Sequence, residues 1–150
     1  MPNTKSGLFL DTNLLVYALD NSDPAKRNKI GRIITSAMAD KTLVLSPQSL
    51  NELYRVLTDR MRLLERVEAR DMIGNFLPFC KAPLDSETTR LAWKVQDHTR
   101  FSWWDCLLLA SALRAKCEKF LTEDLQSGRV IFGITIENPF IEIDDFGKTT

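Results

Sequence analysis

Histidine is nearly absent from this sequence: His98 is the only one among 150 residues. Catalytic groups of the Ser-His-Asp or Cys-His kind need a histidine, and His98 lies near the end of a predicted helix, where a surface or capping role is expected. Cysteine is also scarce. Cys80, Cys106 and Cys117 are odd in number, lack metal-ligand spacing and lie within apolar patterns. We expect reduced thiols of the core, without a disulfide framework or a zinc site.

The sequence also lacks an excess of charge, a long apolar run and a Gly-rich phosphate-binding loop. The 20 basic residues balance 20 acidic ones, so the net charge indicates no partner, although a local basic patch could still bind phosphate groups. No stretch approaches the roughly 20 apolar residues of a membrane span, and residues 1–7 are polar, unlike a signal peptide. We expect a cytoplasmic protein with a single domain over residues 1–150 and a frayed tail at residues 146–150.

Short apolar runs alternate with amphipathic helical patterns along the chain. Runs of this length are typical of buried parallel strands, and Asp23 and Ser46 each precede a proline at the predicted start of a helix. Strands are predicted at residues 7–10, 42–45, 79–82 and 119–122, and within 130–136. Helices are predicted at residues 24–38, 47–61, 69–77, 86–98 and 103–113. This alternation predicts an α/β fold, a three-layer α/β/α sandwich around a central parallel sheet of about five strands.

Four carboxylates, those of Asp11, Glu52, Asp105 and Asp124, fall where a strand pattern stops or a helix pattern starts. In an open parallel sheet these points converge at one edge. At separations of about 5 Å and an effective dielectric of about 20, each like-charge pair would cost about 3 kcal/mol. A hard divalent cation would relieve this repulsion, and oxygen ligands favour Mg²⁺ or Mn²⁺ over zinc. Phosphodiester hydrolysis is the reaction that such a site suits best.

Each acid also has a purely structural interpretation. Glu52 lies opposite the apolar stripe of its helix and could be a solvated side chain. Asp105 stands three residues after Ser102, so the pair could form a capping box, which is compatible with catalysis. Asp11 could cap the next turn, and Asp124 could belong to a polar loop. These alternatives remain open at the level of the sequence.

Two further groups of residues have alternative interpretations. Lys26, Arg27, Lys29 and Arg32 lie opposite the apolar stripe of their helix, and we expect a solvated face there rather than a phosphate-binding patch. Trp103 and Trp104 are adjacent and cannot share one helical face. Core packing is the default expectation for both tryptophans, with exposure of one to a partner as the alternative.

Five short motifs occur in an order that resembles the PIN-domain ribonucleases, most closely the VapC-type toxins of toxin–antitoxin pairs. The likeness spans residues 8–140. Each motif is weak alone, but the ordered set is quite specific. The motifs are FLDTN at 9–13, a helix glutamate at position 52, WD at 104–105, LTEDL at 121–125 and NPF at 138–140.

The resemblance implies a parallel sheet flanked by helices and an acidic site that coordinates Mg²⁺ or Mn²⁺ and cleaves single-stranded or loop RNA. It assigns the four catalytic and metal-binding positions to the four acids named above. It also implies supporting polar roles for Thr12, Asn13 and Thr122. Glu123 is an additional carboxylate to which no role is assigned.

The resemblance further implies a homodimer and a small antitoxin protein whose C-terminal segment covers the site. Arg55, Arg60 and Arg62 flank Glu52 and could contact RNA or the antitoxin, although helix-surface charges are more often solvated. Two other functions remain as alternatives: a binding module of the same fold without activity, and a phosphatase that uses Asp11 as its nucleophile. Haloacid-dehalogenase phosphatases also begin with an apolar strand that ends in a nucleophilic aspartate, but they carry a second aspartate two residues later, where this chain has Asn13.

Overall fold

A computed structural model describes residues 6–141 of the chain. The predicted frayed tail at residues 146–150 and most of the polar start lie outside this range. The elements are β1 (Gly7–Leu10), α1 (Thr12–Tyr17), α2 (Pro24–Ala39), β2 (Leu43–Val44), α3 (Pro47–Arg55), a π-helical turn (Val56–Arg60), α4 (Arg66–Gly74), a 3₁₀ turn (Leu77–Phe79), α5 (Ser86–Thr99), α6 (Trp103–Arg114), β3 (Cys117–Leu121), β4 (Val130–Ile131) and β5 (Ile134–Glu137).

The five strands form one sheet in the order β2-β1-β3-β5-β4. Strands β1, β2, β3 and β5 run parallel to one another, and β4 is antiparallel to β5. From β1, the chain crosses first to β2 on one side and later to β3 on the other. The boundary between β1 and β3 is therefore the topological switch point, where open α/β sheets place their ligand sites.

Alternate strand residues point to opposite faces of the sheet and pack against different helices. Phe9 and Phe120 stack at 5.2 Å between ring centroids and belong to the core beneath α5 and α6. Leu10 and Leu121, one residue further along each strand, belong to the core formed with α1 to α4. Helices thus cover both faces of a mostly parallel sheet, which confirms the predicted three-layer α/β/α fold.

The predicted strand at residues 79–82 is wrong. This segment begins at the last residue of the 3₁₀ turn and forms an isolated parallel bridge between Leu45 and Cys80. Pro78 and Pro83 bracket it, and proline has no N–H to donate to a strand ladder. The segment lies beside the end of β2 but does not pair with it as a regular strand.

The fifth predicted strand, within residues 130–136, is two strands joined by a tight turn. Phe132 and Gly133 have φ angles of 47° and 90°, and two consecutive positive φ values are typical of a two-residue hairpin turn. Gly133 adopts this conformation without strain, whereas Phe132 is an unusual residue for it. The expected number of five strands is thus met by splitting one predicted strand and losing another.

Proline and a polar cap begin α2 and α3 as predicted. The Asp23 side chain accepts a hydrogen bond from the backbone N–H of Lys26, and Ser46 accepts one from Ser49. Two helices end earlier than their apolar stripes predict. Met61 follows the π-helical turn and is 41% exposed, and Leu77 lies beyond α4 and is 59% exposed. Both residues leave the buried stripe because the helical path ends before them.

The scarce residue types are placed largely as expected. His98 is exposed and its ring lies 4.9 Å from that of Phe132. Cys106 and Cys117 are buried free thiols, and burial raises the pKa of Cys117 to about 12. Cys80 is a free thiol too, but it is only partly buried, because it lies in the irregular segment that replaces the third predicted strand. Between residues 6 and 141, no helix combines the length and the apolar character needed to cross a membrane.

Candidate active site

The ends of β1 and β3 place Asp11 at the switch point of the sheet. The Asp11 backbone N–H donates to the carbonyl of Leu121 at 2.9 Å, which ties the two strand ends together. The Thr122 hydroxyl, one residue further, donates to Asp11 Oδ2 at 2.9 Å. Asp11 is the N-cap residue of α1, yet its side chain makes no capping hydrogen bond. Asp11 is 6% exposed, and its carboxylate is directed towards Thr122 after β3 rather than into a cap.

Asp124 reaches the same strand ends from the loop after β3. Its backbone N–H donates to the Thr122 hydroxyl at 3.1 Å. Its carboxylate accepts a hydrogen bond from Asn13 Nδ2 at 3.0 Å. Thr122 and Asn13 therefore connect Asp11, Asp124 and the start of α1.

Glu52 projects from α3 into the same edge of the sheet. The Thr12 hydroxyl donates to Glu52 Oε2 at 3.0 Å, and Gln48 Nε2 donates to Glu52 Oε1 at 3.3 Å. Glu52 is exposed and lies away from the buried stripe of its helix, as the helical pattern predicts. The exposed face of α3 adjoins α1, so solvent exposure and a place beside the other acids coincide.

Asp105 lies in the first turn of α6, and Ser102 is the N-cap of that helix. Ser102 Oγ accepts the backbone N–H of Asp105 at 3.3 Å and donates to Asp105 Oδ2 at 2.9 Å. The predicted N-cap is therefore present. The Asp105 carboxylate accepts a hydrogen bond from the Ser102 hydroxyl, whereas in a capping box it would accept one from the Ser102 backbone N–H.

The four carboxylates form one electrostatic group. Burial raises the pKa of Asp11 to about 6; the hydrogen bond from Thr122 opposes the rise, and the negative charges of Asp105 and Asp124 add to it. Burial also raises the pKa of Asp105; there the bond from Ser102 opposes the rise, and the charges of Asp124 and Glu52 add to it. Each acid therefore interacts with at least one of the others. Asp11 and Asp124 interact although more than 110 residues separate them in sequence.

Comparison with known proteins agrees with this fold. A family model described as the PIN domain matches residues 8–132. This chain belongs to the PIN domain family. No curated protein matches it.

Solved structures with a similar fold share 16% sequence identity with this PIN domain. DNA-bound VapBC from Salmonella typhimurium has a TM-score of 0.65, covering 90% of this chain and 99% of that one. VapBC2 from Rickettsia felis, bound to a DNA fragment from the promoter, has a TM-score of 0.62, covering 87% and 97%. VapC20 from Mycobacterium tuberculosis, a toxin that cleaves the sarcin-ricin loop, has a TM-score of 0.54, covering 76% and 87%.

The donor chemistry of this PIN site suits a hard cation. The four acids offer only oxygen ligands, which favour Mg²⁺ or Mn²⁺, and none of them forms an ion pair with a Lys or Arg between residues 6 and 141. Over the same range, no three His, Cys, Asp or Glu side chains are grouped closely enough to hold a metal ion.

Glu123 is directed away from the four acids. It accepts hydrogen bonds from Tyr17 Oη and, at 2.9 Å, from Lys26 Nζ. The Lys26 ammonium also lies 4.7 Å from the ring centroid of Tyr17 and 4.8 Å from that of Phe140. Lys26 therefore links α2 to the loop after β3, and its assignment to a solvated face is wrong. Burial tends to raise the pKa of Glu123, but the bonds from Tyr17 and Lys26 outweigh it and lower the pKa.

Sequence reasoning missed Gln48, a buried residue of α3 one helical turn before Glu52. Its Nε2 contacts both Glu52 Oε1 and, at 3.5 Å, the backbone carbonyl of Trp104. Its Oε1 is buried and has no hydrogen-bond partner among residues 6–141. The i, i+4 spacing to Glu52 was a visible signal, but only the structure shows that α6 lies against it. Gln48 positions Glu52 relative to the first turn of α6.

Trp103 and Trp104 have different environments. Trp103 is partly buried and packs against the core under α5 and α6, as expected. Trp104 is 63% exposed, so core packing is the wrong interpretation for it. Trp104 instead lines a pocket of about 440 Å³ together with Thr12, Glu52 and Arg55.

Proposed function

We propose that this PIN domain is an Mg²⁺- or Mn²⁺-dependent endoribonuclease that hydrolyses phosphodiester bonds in single-stranded or loop RNA. We further propose that it is the toxin of a toxin–antitoxin pair and acts in the cytoplasm. The observation that carries the proposal is the meeting of Asp11, Glu52, Asp105 and Asp124 at the switch point of the sheet. Two of these acids have pKa values raised by burial and by their neighbours.

The relatives with the same fold support the choice of substrate and partner. VapC20 is a toxin that cleaves the sarcin-ricin loop, an RNA target. Two further relatives are VapBC assemblies, which supports an antitoxin as the partner of this chain. We also propose a homodimer, as the resemblance to VapC-type toxins implies.

In this proposal the chain supplies a cation site and orients the carboxylates that form it. Bound Mg²⁺ or Mn²⁺ would polarise the phosphodiester and lower the pKa of an attacking water. Asp11, Glu52, Asp105 and Asp124 would hold the ion. The hydroxyl groups of Thr12 and Thr122 and the amides of Asn13 and Gln48 orient these carboxylates through the hydrogen bonds described above.

The products of RNA cleavage test the reaction directly. Because water is the attacking group, cleavage should leave a 5′-phosphate, and a single 2′-deoxy substitution at the scissile position should not abolish it. The assay uses purified protein, Mn²⁺ and a loop RNA with labelled ends, and EDTA should stop the reaction. A product that ends in a 2′,3′-cyclic phosphate would show attack by the RNA's own 2′-hydroxyl and would refute the proposed mechanism.

The partner is tested in cells. Expression of the chain alone should slow growth, and Asp11→Asn should relieve the effect. When the chain is expressed with the gene that neighbours its own, we expect a small protein to co-purify and growth to recover. Normal growth with abundant folded protein would argue against a toxin, and the sedimentation mass of the purified chain tests the homodimer.

A further inference from the structure

A pocket beside the four acids has the composition of a nucleotide subsite. It measures about 440 Å³ and adjoins the acids through Glu52 and Asn13. That volume is within the range of small-molecule sites, about 300–1,000 Å³. The pocket combines an aromatic wall with two cationic side chains. Its lining includes Thr12, Asn13, Glu52, Arg55, Arg60 and Trp104.

The aromatic wall is Trp104, whose exposure has no structural explanation in the fold. Trp103, its neighbour, packs against the core, so α6 needs no second tryptophan for packing. The Trp104 backbone is nevertheless held in place, because Gln48 contacts its carbonyl and Asp105 is fixed by the Ser102 cap. An exposed indole on a fixed stretch of backbone is a stacking platform that accepts any nucleobase.

The cationic side is formed by Arg55 and Arg60. Among residues 6–141, Arg55 forms one ion pair, a 4.0 Å contact to Asp59, and both side chains are more than 70% exposed, so this pair holds Arg55 weakly. Arg60 forms no ion pair with an acid of residues 6–141. The π-helical turn between them matters, because hydrogen bonds from i to i+5 bring residues five apart to the same side of the helix. Both arginines line the pocket, and their guanidinium groups are the donors that it offers to phosphate.

We propose that this pocket binds one unpaired nucleotide of the RNA substrate, next to the phosphodiester bond that is cleaved. The base stacks on Trp104, and Arg55 and Arg60 contact the adjoining phosphates. This inference rests on the proposed function for the identity of the substrate. It assigns Trp104 a substrate-positioning role that explains a preference for single-stranded or loop RNA, because a base must leave its stack to reach the indole.

Binding of a short single-stranded oligoribonucleotide tests the role of Trp104. The full chain carrying Asp11→Asn, which should not cleave, is titrated with a labelled octamer in Mn²⁺. Trp104→Ala should weaken binding roughly 5- to 140-fold, the equivalent of 1–3 kcal/mol per stacked base. Trp104→Phe should retain most of the affinity because an aromatic face remains.

Trp93→Ala is the matched control. Trp93 lies on α5, is 55% exposed and is not part of the pocket lining. It should leave binding unchanged. Equal losses for Trp104→Ala and Trp93→Ala, or native binding by Trp104→Ala, would overturn the inference. Because Trp104 is exposed, its replacement should leave the melting temperature close to that of the parent.

The arginines are tested by the salt dependence of the same affinity. Arg55→Gln and Arg60→Gln should each reduce the slope of log K against log[salt] by about 0.7, the value for one phosphate contact on a single strand. Arg90→Gln is the control, since Arg90 on α5 is outside the pocket. Unchanged slopes in both pocket variants would contradict the phosphate contacts.

Abasic substitutions locate the stacked base. An octamer lacking one base should bind weakly to the parent only when the missing base is the stacked one. Trp104→Ala should bind that abasic octamer and the intact octamer equally well, because the stacking contact is already lost in this variant. If the two losses add at every position, Trp104 does not stack on a base.

The outcomes separate this inference from the proposed function. RNA cleavage by the native chain together with native binding by Trp104→Ala would retain the nuclease and reject the subsite. Weaker binding by Trp104→Ala in a chain that never cleaves RNA would retain the nucleotide site and reject the nuclease. Binding of a DNA octamer with equal affinity and equal dependence on Trp104 would reject RNA as the specific occupant.

Discussion

At the scale of single residues, Asp11 is the clearest case of a side chain placed for chemistry. Its position would allow a helix cap, yet the carboxylate contacts Thr122 across the strand junction and makes no cap. Burial beside Asp105 and Asp124 makes its charge unfavourable in the absence of a cation. A buried carboxylate that destabilises the metal-free fold and caps no helix is a functional candidate.

The first prediction concerns Asp11→Asn in metal-free protein. The substitution removes a buried charge but keeps the shape of the side chain and an oxygen that can accept from Thr122. We expect the free energy of unfolding at pH 7.5 to rise by up to about 3 kcal/mol, measured by urea denaturation in EDTA, while RNA cleavage is lost.

Glu123→Gln is the matched control for Asp11→Asn, since it neutralises a neighbouring acid that lies outside the site. It weakens the bonds to Lys26 and Tyr17, so it should lower stability by about 1 kcal/mol and leave cleavage intact. Loss of cleavage in both variants would show that the assay reports general charge rather than the site.

The second prediction is the pH dependence of stability. The pKa of Asp11 is about 6 in the folded state and 3.8 as its ordinary value, so the folded state binds more protons between these pH values. The contribution of Asp11 to stability therefore falls as the pH rises from about 4 to above 6. Denaturation in EDTA at several pH values measures this fall, and the difference between native protein and Asp11→Asn isolates the contribution of Asp11. A difference that does not vary between pH 4 and 7 would contradict the raised pKa.

Sequence could identify individual acids only where local pattern determines their direction. Asp11 and Asp124 follow strands whose parallel order fixes the edge that they occupy. Glu52 was ambiguous because its exposed face becomes a site only when α1 packs beside α3. The expected core packing of Trp104 and the expected solvation of Lys26 are wrong for a related reason. The element that gives each its role is distant in sequence, and periodicity contains no information about it.

At the scale of elements, caps and prolines were the most predictable features. Asp23 and Ser46 begin their helices as expected, because capping depends on residues within one turn. The errors at residues 79–82 and 130–136 arose where proline and positive φ angles interrupt an apolar run. The π-helical turn after α3 had no sequence signal, although it brings Arg55 and Arg60 to one side.

The third prediction compares two helix caps. Ser102→Ala removes the N-cap of α6 and also the hydroxyl that orients Asp105. Asp23→Ala removes the N-cap of α2, which is not in contact with the four acids. Each should lower the free energy of unfolding by about 1 kcal/mol. Only Ser102→Ala should also lower the Mn²⁺-dependent kcat, measured at saturating RNA.

The outcome would distinguish two roles of Ser102. Equal effects of both substitutions on kcat would indicate that Ser102 acts through stability alone. A loss confined to Ser102→Ala, at a temperature where both variants are fully folded, would indicate that it positions Asp105.

At the scale of the whole molecule, the order of the strands explains how residues 11 and 124 meet. The switch point between β1 and β3 creates a crevice, α3 adds Glu52 from the layer of α1 to α4, and α6 adds Asp105 from the opposite layer. The site therefore draws on both helical layers and on the sheet. Its assembly depends on the complete fold, so cation binding and folding should be coupled.

Mn²⁺-dependent thermal stability is the most direct measurement of this account. At 100 times its dissociation constant, a cation that binds only the folded state adds about 2.7 kcal/mol, which is about 5–11 °C in melting temperature for a chain of this size. We predict such a rise for the native protein and its loss in Asp11→Asn, with Glu123→Gln retaining it. A native melting temperature that does not respond to Mn²⁺, or a rise that persists in Asp11→Asn, would contradict a shared cation site at the four acids.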